Sequence, residues 1–412
     1  MEVLHSECCG LDVHKRTVVA CVLVTSSGGA VRKELRSFGT TTDEILRMGD
    51  WIKAAGCTHV AMESTGVYWK PIYNLLEGQF ELLVVNAQHM KAIPGRKTDT
   101  HDAEWIAELL RHGLLKPSFV PSAFQRELRD LTRYRISVVQ ERARMVNRLQ
   151  KVLEDANIKL ASIASDITGV SARAMLQEML SGHSDPHALA ELARGRLREK
   201  RAELEKALVG RMKTHHRFMI AELLGHIDYL DQAIERVSRE IRERMRPFDD
   251  QIAQWDSIPG VNRRTAEVMV AEIGTNMARF PSSGHLSSWS GMCPGNDESA
   301  GKRRSGKTRK GSRWLRQALV EAAHGAARSK DTYLAAQYAR LARRRGRKKA
   351  LVAVGHSILV IAYHLLTHNE CYRDLGGNYF DERKRETVQH NLVSRLQRLG
   401  YQVTLTPVTL AA

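Results

Sequence analysis

Residues 8–24, CCGLDVHKRTVVACVLV, contain two runs of β-favouring residues on either side of a polar turn, and this pattern predicts two strands. The segment VRKELRSFGT is a candidate third strand. Residues 41–56, TTDEILRMGDWIKAAG, have helical spacing behind a capping threonine, Thr41 or Thr42. The runs THVAMES and FELLVVNA predict short strands separated by a helix at VYWKPIYNLLEG. This order of elements predicts a mixed α/β domain over residues 1–121.

The pattern changes over residues 122–249, where apolar residues recur every three or four positions among dense mixed charges. It predicts an antiparallel helical hairpin or a coiled coil, and the sequence leaves open whether this region is a spacer or a dimerisation arm. The clearest apolar run consists of Leu223, Leu224, Ile227, Leu230, Ile234, Val237 and Ile241.

Residues 250–371 are predicted to form a mostly helical domain, followed by a polar tail at 372–412. The motif SIPGVNRRTAEVMVAEIG has the helix-hairpin-helix pattern, in which Gly260 allows a tight turn whose backbone N–H groups can face a phosphate. An ordinary connection between two helices is the alternative. The apolar segment 350–366 is 17 residues long and contains two histidines, so a buried core helix is predicted rather than a membrane span.

The composition points to a polyanionic partner. The chain has 412 residues and a formal net charge of +17, and residues 302–349 alone contain 17 Lys and Arg against two acids, a net charge of +15. This lopsided charge favours nucleic acid as the partner, ahead of an anionic membrane or a merely solvated surface. The first residues lack the order of a signal peptide, and the six cysteines have no spacing typical of zinc sites. We therefore expect reduced thiols in a cytoplasm.

Two aspartates lie three residues apart in GRKTDTHDAEWIAELL, where a basic loop becomes a helix. Asp99 and Asp102 would share one helix face, although like charges at this spacing repel each other. Asp12 interrupts an apolar strand and Glu63 ends another, and such acids are costly to bury without cations. Converging carboxylates would suit divalent metal ions, which clamp the attacking and leaving oxygens of a phosphodiester displacement. We therefore predict that these four acids are metal ligands.

The order of an acid-bearing β-hairpin, a later strand with a glutamate and a helix with paired aspartates resembles the RNase H-like fold in its RuvC-type version. The stretches GLDVHK, MESTGVYW and RKTDTHDAEWIAELL resemble the N-terminal domain of the DEDD transposases of the insertion-sequence one-ten family. SIPGVNRRTAEVMVAEIG and SWSGMCPGNDESAGKRRSGKTRKGSRWLRQALVEAA resemble that family's C-terminal transposase domain. The likeness covers roughly residues 8–121 and 250–370, in the family's order, and the combination is more specific than either part.

The resemblance implies a site and a mechanism. The family uses a catalytic serine, matched here by Ser299 in GNDESAG, with Ser305 as a nearby competitor. Attack by this serine would give a covalent phosphoserine–DNA intermediate. Such transposases are recombinases guided by a structured RNA from the element's own non-coding end, and their oligomers combine the acids of one subunit with the serine of another. The implied DEDD tetrad, which would bind Mg²⁺ or Mn²⁺, is Asp12, Glu63, Asp99 and Asp102.

The predicted partners are DNA at the element ends and target, a guide RNA and further copies of the chain in a dimer or tetramer, at the bacterial nucleoid and without a membrane. Two alternatives remain: a RuvC-like hydrolytic nuclease or junction resolvase, and a non-catalytic nucleic-acid-binding protein. A covalent protein–DNA adduct would separate them from the main prediction. The residues predicted to contact phosphates are Arg96, Lys97, Gly260, Lys302, Arg303, Arg304, Lys307, Arg309, Lys310, Arg313, Arg343, Arg344, Arg345, Arg347, Lys348 and Lys349.

Overall fold

The computed structural model describes residues 2–26, 28–64, 66–86, 102–295 and 297–406, with the backbone alone for residues 297–299, 303 and 304. The chain forms two compact units, Met1–Ala123 and Phe124–Ala412. The finer division of the chain into four parts remains a prediction.

The first unit contains a five-stranded sheet and, among its described residues, three helices. The predicted strands and helices are all present, although the side chain of Thr41, at the N-cap position of the first helix, makes no capping hydrogen bond. In chain order the elements are β1 (Glu7–Val13), β2 (Thr17–Thr25), β3 (Val31–Gly39), α1 (Thr42–Ala54), β4 (His59–Glu63), α2 (Trp69–Leu76), β5 (Glu81–Val85) and α3 (Asp102–Arg111).

The sheet has the strand order β3-β2-β1-β4-β5. The pairs β1–β2 and β2–β3 are antiparallel, whereas β1–β4 and β4–β5 are parallel. Successive side chains of a strand point to opposite faces. Leu11 and Val13 therefore pack with α1 and α2 on one face, whereas Cys8 packs with α3 on the other. The unit is a three-layer α/β/α structure, which confirms the predicted mixed α/β class.

Gly10 allows α3 to lie directly against β1. A Cβ atom at this position would lie 2.3 Å from the carbonyl oxygen of Ala103 and 2.4 Å from the backbone nitrogen of Ala107. Both distances are far below a van der Waals contact, and both partners are backbone atoms that no side-chain rotation can move away. Glycine is therefore the residue that fits here, and it sets the height of α3 above the sheet.

The second unit is helical apart from one short hairpin, as far as the described residues extend. Three 3₁₀ turns connect its helices, at Gly195–Lys200, Arg246–Phe248 and Met277–Arg279. The helices and strands are α4 (Ala123–Asp155), α5 (Leu160–Ile163), α6 (Val170–Leu180), α7 (Pro186–Glu191), α8 (Arg201–Leu208), α9 (Thr214–Met245), α10 (Asp249–Asp256), α11 (Arg263–Ile273), α12 (Ser283–Trp289), β6 (Asp297–Ser299), β7 (Lys302–Ser305), α13 (Arg313–Ala326), α14 (Tyr333–Arg345), α15 (Arg347–His368), α16 (Tyr379–Glu382) and α17 (Arg385–Arg398).

The long helices α4 and α9 run antiparallel to each other, as predicted. In the ion pairs between them, the residue numbers rise along α4 while those of the partners fall along α9, which only an antiparallel arrangement allows. One end of this pair packs with α6, α7 and α8 around a shared apolar core, so the region is a packed helical core rather than an isolated coiled coil. The cross-links are Glu127–Arg244, Arg142–Asp231 and Asp155–His216.

A second core surrounds α15, the helix predicted from the apolar segment 350–366. By length and composition α15 could cross a membrane, and it is the one such helix among the described residues. Nine of its 22 residues are nevertheless buried, against α10, α12, α13 and α14. The indole Nε1 of Trp255 also donates a hydrogen bond to the carbonyl oxygen of Ala362, at 3.0 Å. The structure therefore places this helix in the core of the unit, as expected.

Two buried glutamates of α11 bind arginines of α4. Arg135 contacts the carboxylate of Glu267 at 2.6 Å, and both side chains are almost fully buried. Arg133 donates two hydrogen bonds to Glu272, at 2.7 and 2.9 Å. Because a buried carboxylate needs a compensating cation, these pairs fix how α11 lies along α4.

Candidate functional site

Asp12 and Glu63 lie at the carboxyl ends of neighbouring parallel strands. The register of β1 and β4 pairs Leu11 with Met62, and the next residue of each strand is the acid. The strands run in the same direction, so both acids lie at the same end of the sheet. The sequence pattern predicted an acid on each strand, and the topology makes them neighbours.

The two acids also share one face of the sheet. Asp12 alternates in phase with Cys8, and Glu63 in phase with Ala61. Cys8 and Ala61 both belong to the apolar cluster beneath α3. The two carboxylates therefore leave the sheet on the side that α3 covers.

Asp102 is the first residue of α3, and the packing of that helix sets its position. Cys8 Sγ lies 3.6 Å from the carbonyl oxygen of Ala107, and Gly10 lies against the turn that precedes it. Moving along β1 therefore means moving toward the N-terminus of α3. Two further strand residues advance about 7 Å, the length of about four to five helical residues. Asp12 is accordingly level with the first turn of α3, where Asp102 lies.

The three described acids are accessible in different degrees. The side chain of Asp12 is 22% exposed, and its Oδ2 lies 3.1 Å from Nε2 of His14. Glu63 is half-buried and Asp102 is exposed. Their oxygens do not all lie within 4.8 Å of one another, and Asp99 is outside the described residues. A set of carboxylate oxygens is nonetheless what Mg²⁺ prefers, so the residues present fit such an ion.

Ser299 lies on a short β-hairpin of the second unit. The strands β6 and β7 pair Ser299 with Lys302, and the two residues between them have positive φ angles, +49° at Ala300 and +72° at Gly301. Two such residues in succession form the turn whose twist suits a two-residue hairpin. Alanine rarely adopts this conformation, so the hairpin holds some backbone strain beside the serine. The side chain of Ser299 is outside the described atoms.

Ser305, the competing serine, lies at the end of the same hairpin. Its register partner is Asp297, and its Oγ accepts a hydrogen bond from the backbone N–H of Lys307 at 3.2 Å. This contact is that of a turn-forming serine. It gives Ser305 a local structural role, and the choice of Ser299 as nucleophile stays a prediction.

The residues predicted to contact phosphates differ in how much of each the structure describes and in their surroundings. Arg96 and Lys97 lie outside the described residues, and only the backbone is described for Arg303 and Arg304. Arg313 begins α13 and lies over the ring of Trp314, at 4.5 Å from its centre. The other predicted cationic contacts have exposed side chains: Lys302, Lys307, Arg309, Lys310, Arg343, Arg344, Arg345, Arg347, Lys348 and Lys349.

Gly260 has a packing role in the structure. Its φ angle is +87°, and a Cβ atom would lie 2.2 Å from the carbonyl oxygen of Ala322 and 2.3 Å from the nitrogen of Ala326, both in α13. Glycine is thus needed for the close approach of two backbones. A phosphate contact at this turn stays a prediction that the packing neither requires nor uses.

The structure brings Arg316, Gln337 and His356 to one basic groove that the sequence reasoning did not foresee. These residues lie on three different helices. The local signal that such a sequence can give is a polar residue within an otherwise apolar run. That signal was visible at His356, inside the segment 350–366. A single histidine on an apolar face, however, does not tell which other elements it will meet.

A second cluster, Asp155 with His215 and His216, lies where α4 ends and α9 begins. The potential ligand atoms all lie within 4.8 Å of one another. Nδ1 of His216 accepts the backbone N–H of Lys213 at 3.2 Å, so Nε2 carries the proton that it directs to Asp155 at 2.8 Å. Both ring nitrogens are then engaged, which describes a helix cap better than a metal ligand.

Comparison with known proteins identifies the class of the chain. A family described as "Transposase", of the DEDD type, matches residues 9–158. The family "Transposase IS116/IS110/IS902 family" matches residues 254–339. The first match contains all four predicted acids, and the second contains Gly260, Ser299 and the basic hairpin. The chain is therefore a transposase of an insertion sequence, and it belongs to the IS110 family.

Individual relatives agree with this assignment. The "Transposase for insertion sequence element IS1111A" of Coxiella burnetii is 26% identical over 299 residues, 70% of this chain and 72% of the relative. The "Probable family 20 transposase" of Pseudomonas aeruginosa is 24% identical over 321 residues, 76% of this chain and 85% of the relative. The "Insertion element IS116 uncharacterized 44.8 kDa protein" of Streptomyces clavuligerus is 27% identical over 272 residues, 57% of this chain and 65% of the relative.

Proposed function

We propose that this transposase cuts and rejoins DNA by transesterification at Ser299, in a site prepared by the four acids of an RNase H-like domain. The observation that supports this best is the position of Asp12, Glu63 and Asp102, at one end and on one face of the first unit's sheet. A single buried acid usually has a structural partner. Three acids at one end and on one face of a sheet repel one another unless cations compensate them, and the metal ions of a phosphodiester-cleaving site would do so.

The proposed reaction balances without an external energy source. Ser299 Oγ attacks phosphorus, its proton passes to a carboxylate of the site, and one bridging P–O bond breaks as the leaving oxygen is protonated. The phosphoserine bond retains the energy of the phosphodiester, so a DNA hydroxyl from another strand can attack it and release the serine. Mg²⁺, or Mn²⁺ in its place, would polarise the phosphate and stabilise charge on the leaving oxygen when bound. The residues that would hold it are Asp12, Glu63, Asp99 and Asp102.

A guide RNA and a composite site form the second part of the proposal. Both are implied by the family resemblance, in which acids of one subunit act beside the serine of another. The net charge of +15 over residues 302–349 supports a large phosphate-binding surface, which DNA or RNA would fit. The protein would work in the cytoplasm, where the element's DNA lies.

A hydrolytic nuclease, such as a junction resolvase, is the second candidate. The same acids would then activate water, and no bond to the protein would form. The hairpin supports attack by Ser299 rather than by water, because this serine adjoins a strained turn of defined geometry instead of an irregular loop. A protein that binds nucleic acid without catalysis would show neither cleavage nor an adduct.

The test is a cleavage assay on DNA of the element ends, with the flanking non-coding RNA and Mg²⁺, quenched in detergent and analysed for covalent adducts. Wild type is compared with Asp12→Asn, Ser299→Ala and the matched control Ser305→Ala. We expect adducts in wild type and in Ser305→Ala, and none in the other two or without RNA. Cleavage that survives Ser299→Ala without any adduct would establish the hydrolytic alternative.

Mixing subunits tests the composite site. Asp12→Asn and Ser299→Ala proteins are each expected to be inactive alone. If the acids of one subunit serve the serine of another, a mixture regains part of the wild-type adduct yield. A mixture as inactive as its components, although the two proteins co-assemble, would mean that each subunit uses its own residues.

A further inference from the structure

A basic groove lies on the second unit, between the end of the β-hairpin and the junction of α14 with α15. Its volume is about 1090 Å³, and none of its lining residues is an acid. Five cations line it, and they come from three separate parts of the chain: Lys307, Arg316, Arg345, Lys348 and Lys349. All five lie within the basic stretch 302–349, and the fold brings them from the end of the hairpin, from α13 and from the α14–α15 junction to one surface.

The junction at Gly346 concentrates these charges. Gly346, with a φ angle of +81°, ends α14 and begins α15, so Arg345 closes one helix while Lys348 and Lys349 lie in the first turn of the next. Cations at a helix N-terminus oppose the helix dipole, and this first turn contains no acid. This unfavourable interaction destabilises the first turn of α15. An anionic ligand would offset it, because phosphate oxygens could bind both the lysines and the free backbone N–H groups of that turn.

The floor of the groove differs from its rim. Val352 and Ala353 contribute apolar surface, above the buried side chain of Met292. Gln337 donates from Nε2 to Ser357 Oγ at 2.9 Å, while its Oε1 is buried without a partner among the described residues. Burial lowers the pKa of His356, so its ring is neutral at pH 7. The groove therefore has a cationic rim and a floor that offers apolar surface and unused hydrogen-bonding groups. These two regions match the phosphate and the base of a nucleotide.

We propose that this groove binds an unpaired nucleic acid strand, with phosphates on the cationic rim and a base on the floor. In a duplex the base faces are stacked and cannot reach a recessed apolar surface, whereas an unpaired base can. The inference rests on the proposed function and deepens it. Ser305 and Lys307 line the groove, and Ser305 ends the hairpin that carries Ser299, so a strand held here would pass the base of that hairpin.

The test measures binding of the full chain to labelled single-stranded DNA, single-stranded RNA of the same sequence, and the duplex, by fluorescence anisotropy in EDTA. The variant Lys348→Ala/Lys349→Ala removes charge from the rim. Its matched control, Arg343→Ala/Arg344→Ala, removes the same charge from neighbouring exposed positions that do not line the groove. Ala353→Leu fills the floor without changing charge, and thermal unfolding checks that each variant folds.

Wild type should prefer a single strand over the duplex. We expect the lysine variant and Ala353→Leu to lower that preference about tenfold, whereas the arginine control weakens both forms alike. Preference for RNA would identify a guide strand as the ligand, and preference for DNA a displaced target strand. Equal loss for single strand and duplex in all variants would overturn the proposal.

The binding assay requires no catalysis, so its outcome is separable from that of the adduct assay. If adducts form but the groove variants keep the full single-strand preference, this inference fails and the serine mechanism stands. If the preference is lost as expected but no adduct forms, the groove stands and the serine mechanism fails.

Discussion

Replacing Gly10 by alanine tests how the sheet positions the candidate acids. The added Cβ would lie 2.3 Å from the carbonyl oxygen of Ala103 and 2.4 Å from the nitrogen of Ala107. Ordinary contacts begin near 3.4 Å, so α3 would have to move away from β1 by about 1 Å. The substitution is the smallest possible, yet it acts on the backbone of the helix that begins with Asp102.

The expected effect has two parts of different size. Overpacking of this kind costs about 1–3 kcal/mol, and we expect the upper end because backbone atoms cannot rotate aside. A displacement of about 1 Å in a positioning element can reduce a rate by about 100-fold. Gly10→Ala should therefore lose much more activity than its remaining folded fraction explains, because Asp102 moves relative to Asp12.

The assay combines urea unfolding with the rate of adduct formation at a temperature where the variant is folded. Gly28→Ala is the matched control in the same unit, since its Cβ would meet nothing closer than 4.0 Å. We expect this control to behave as wild type in both measurements. If Gly10→Ala did the same, the close contact of α3 with β1, and with it the derived position of Asp102, would be wrong.

Three further predictions concern stability and reactivity. Arg135→Met leaves the carboxylate of Glu267 buried without its nearest cation and should cost about 3–5 kcal/mol in urea unfolding, whereas replacing both residues by methionine should cost less than the two single changes together. Burial raises the pKa of Cys8 to about 12, so maleimide at pH 8 should label the exposed Cys371 in the native protein and leave Cys8 unmodified; labelling of Cys8, read by mass spectrometry, would contradict its burial. A hydrogen bond from His216 lowers the pKa of Asp155. The contribution of this pair to stability is therefore present above the ordinary carboxyl pKa and is lost as the pH falls through the lowered value. The difference in stability between wild type and Asp155→Asn should therefore be larger at pH 7 than at pH 2, and an unchanged difference would refute the pairing.

The sequence predicted the elements of the first unit well, because strands and helices there carry clear local signals. Position along the chain, however, does not reveal that β1 and β4 are adjacent and parallel, and this neighbour relation is what brings Asp12 and Glu63 together. The groove was missed for the same reason. Its cations come from residues 307 to 349, and only the packing of α13, α14 and α15 brings them to one surface.

The choice of Ser299 as the nucleophile rests on the family resemblance, because the residues alone do not indicate it. Nothing in the local chemistry separates Ser299 from other loop serines, and the structure adds the turn on which it lies rather than a reactive environment. The positions of Asp12, Glu63 and Asp102, in contrast, follow from the register of β1 with β4 and from the packing of α3 on the sheet.

Local structural preferences are broken at several positions, and these positions coincide with the regions proposed to function. Asp12 interrupts one apolar strand and Glu63 ends another, Ala300 adopts a conformation suited to glycine, and Lys348 and Lys349 lie in the first turn of a helix against its dipole. Each of these choices destabilises the isolated fold to some extent, and selection for stability alone would remove them. The two unbalanced charges would be compensated by ligands of opposite charge: a cation for the acids, and phosphates for the lysines. On the proposed function, the unbalanced charges of this fold would be neutralised when a divalent cation and nucleic acid bind.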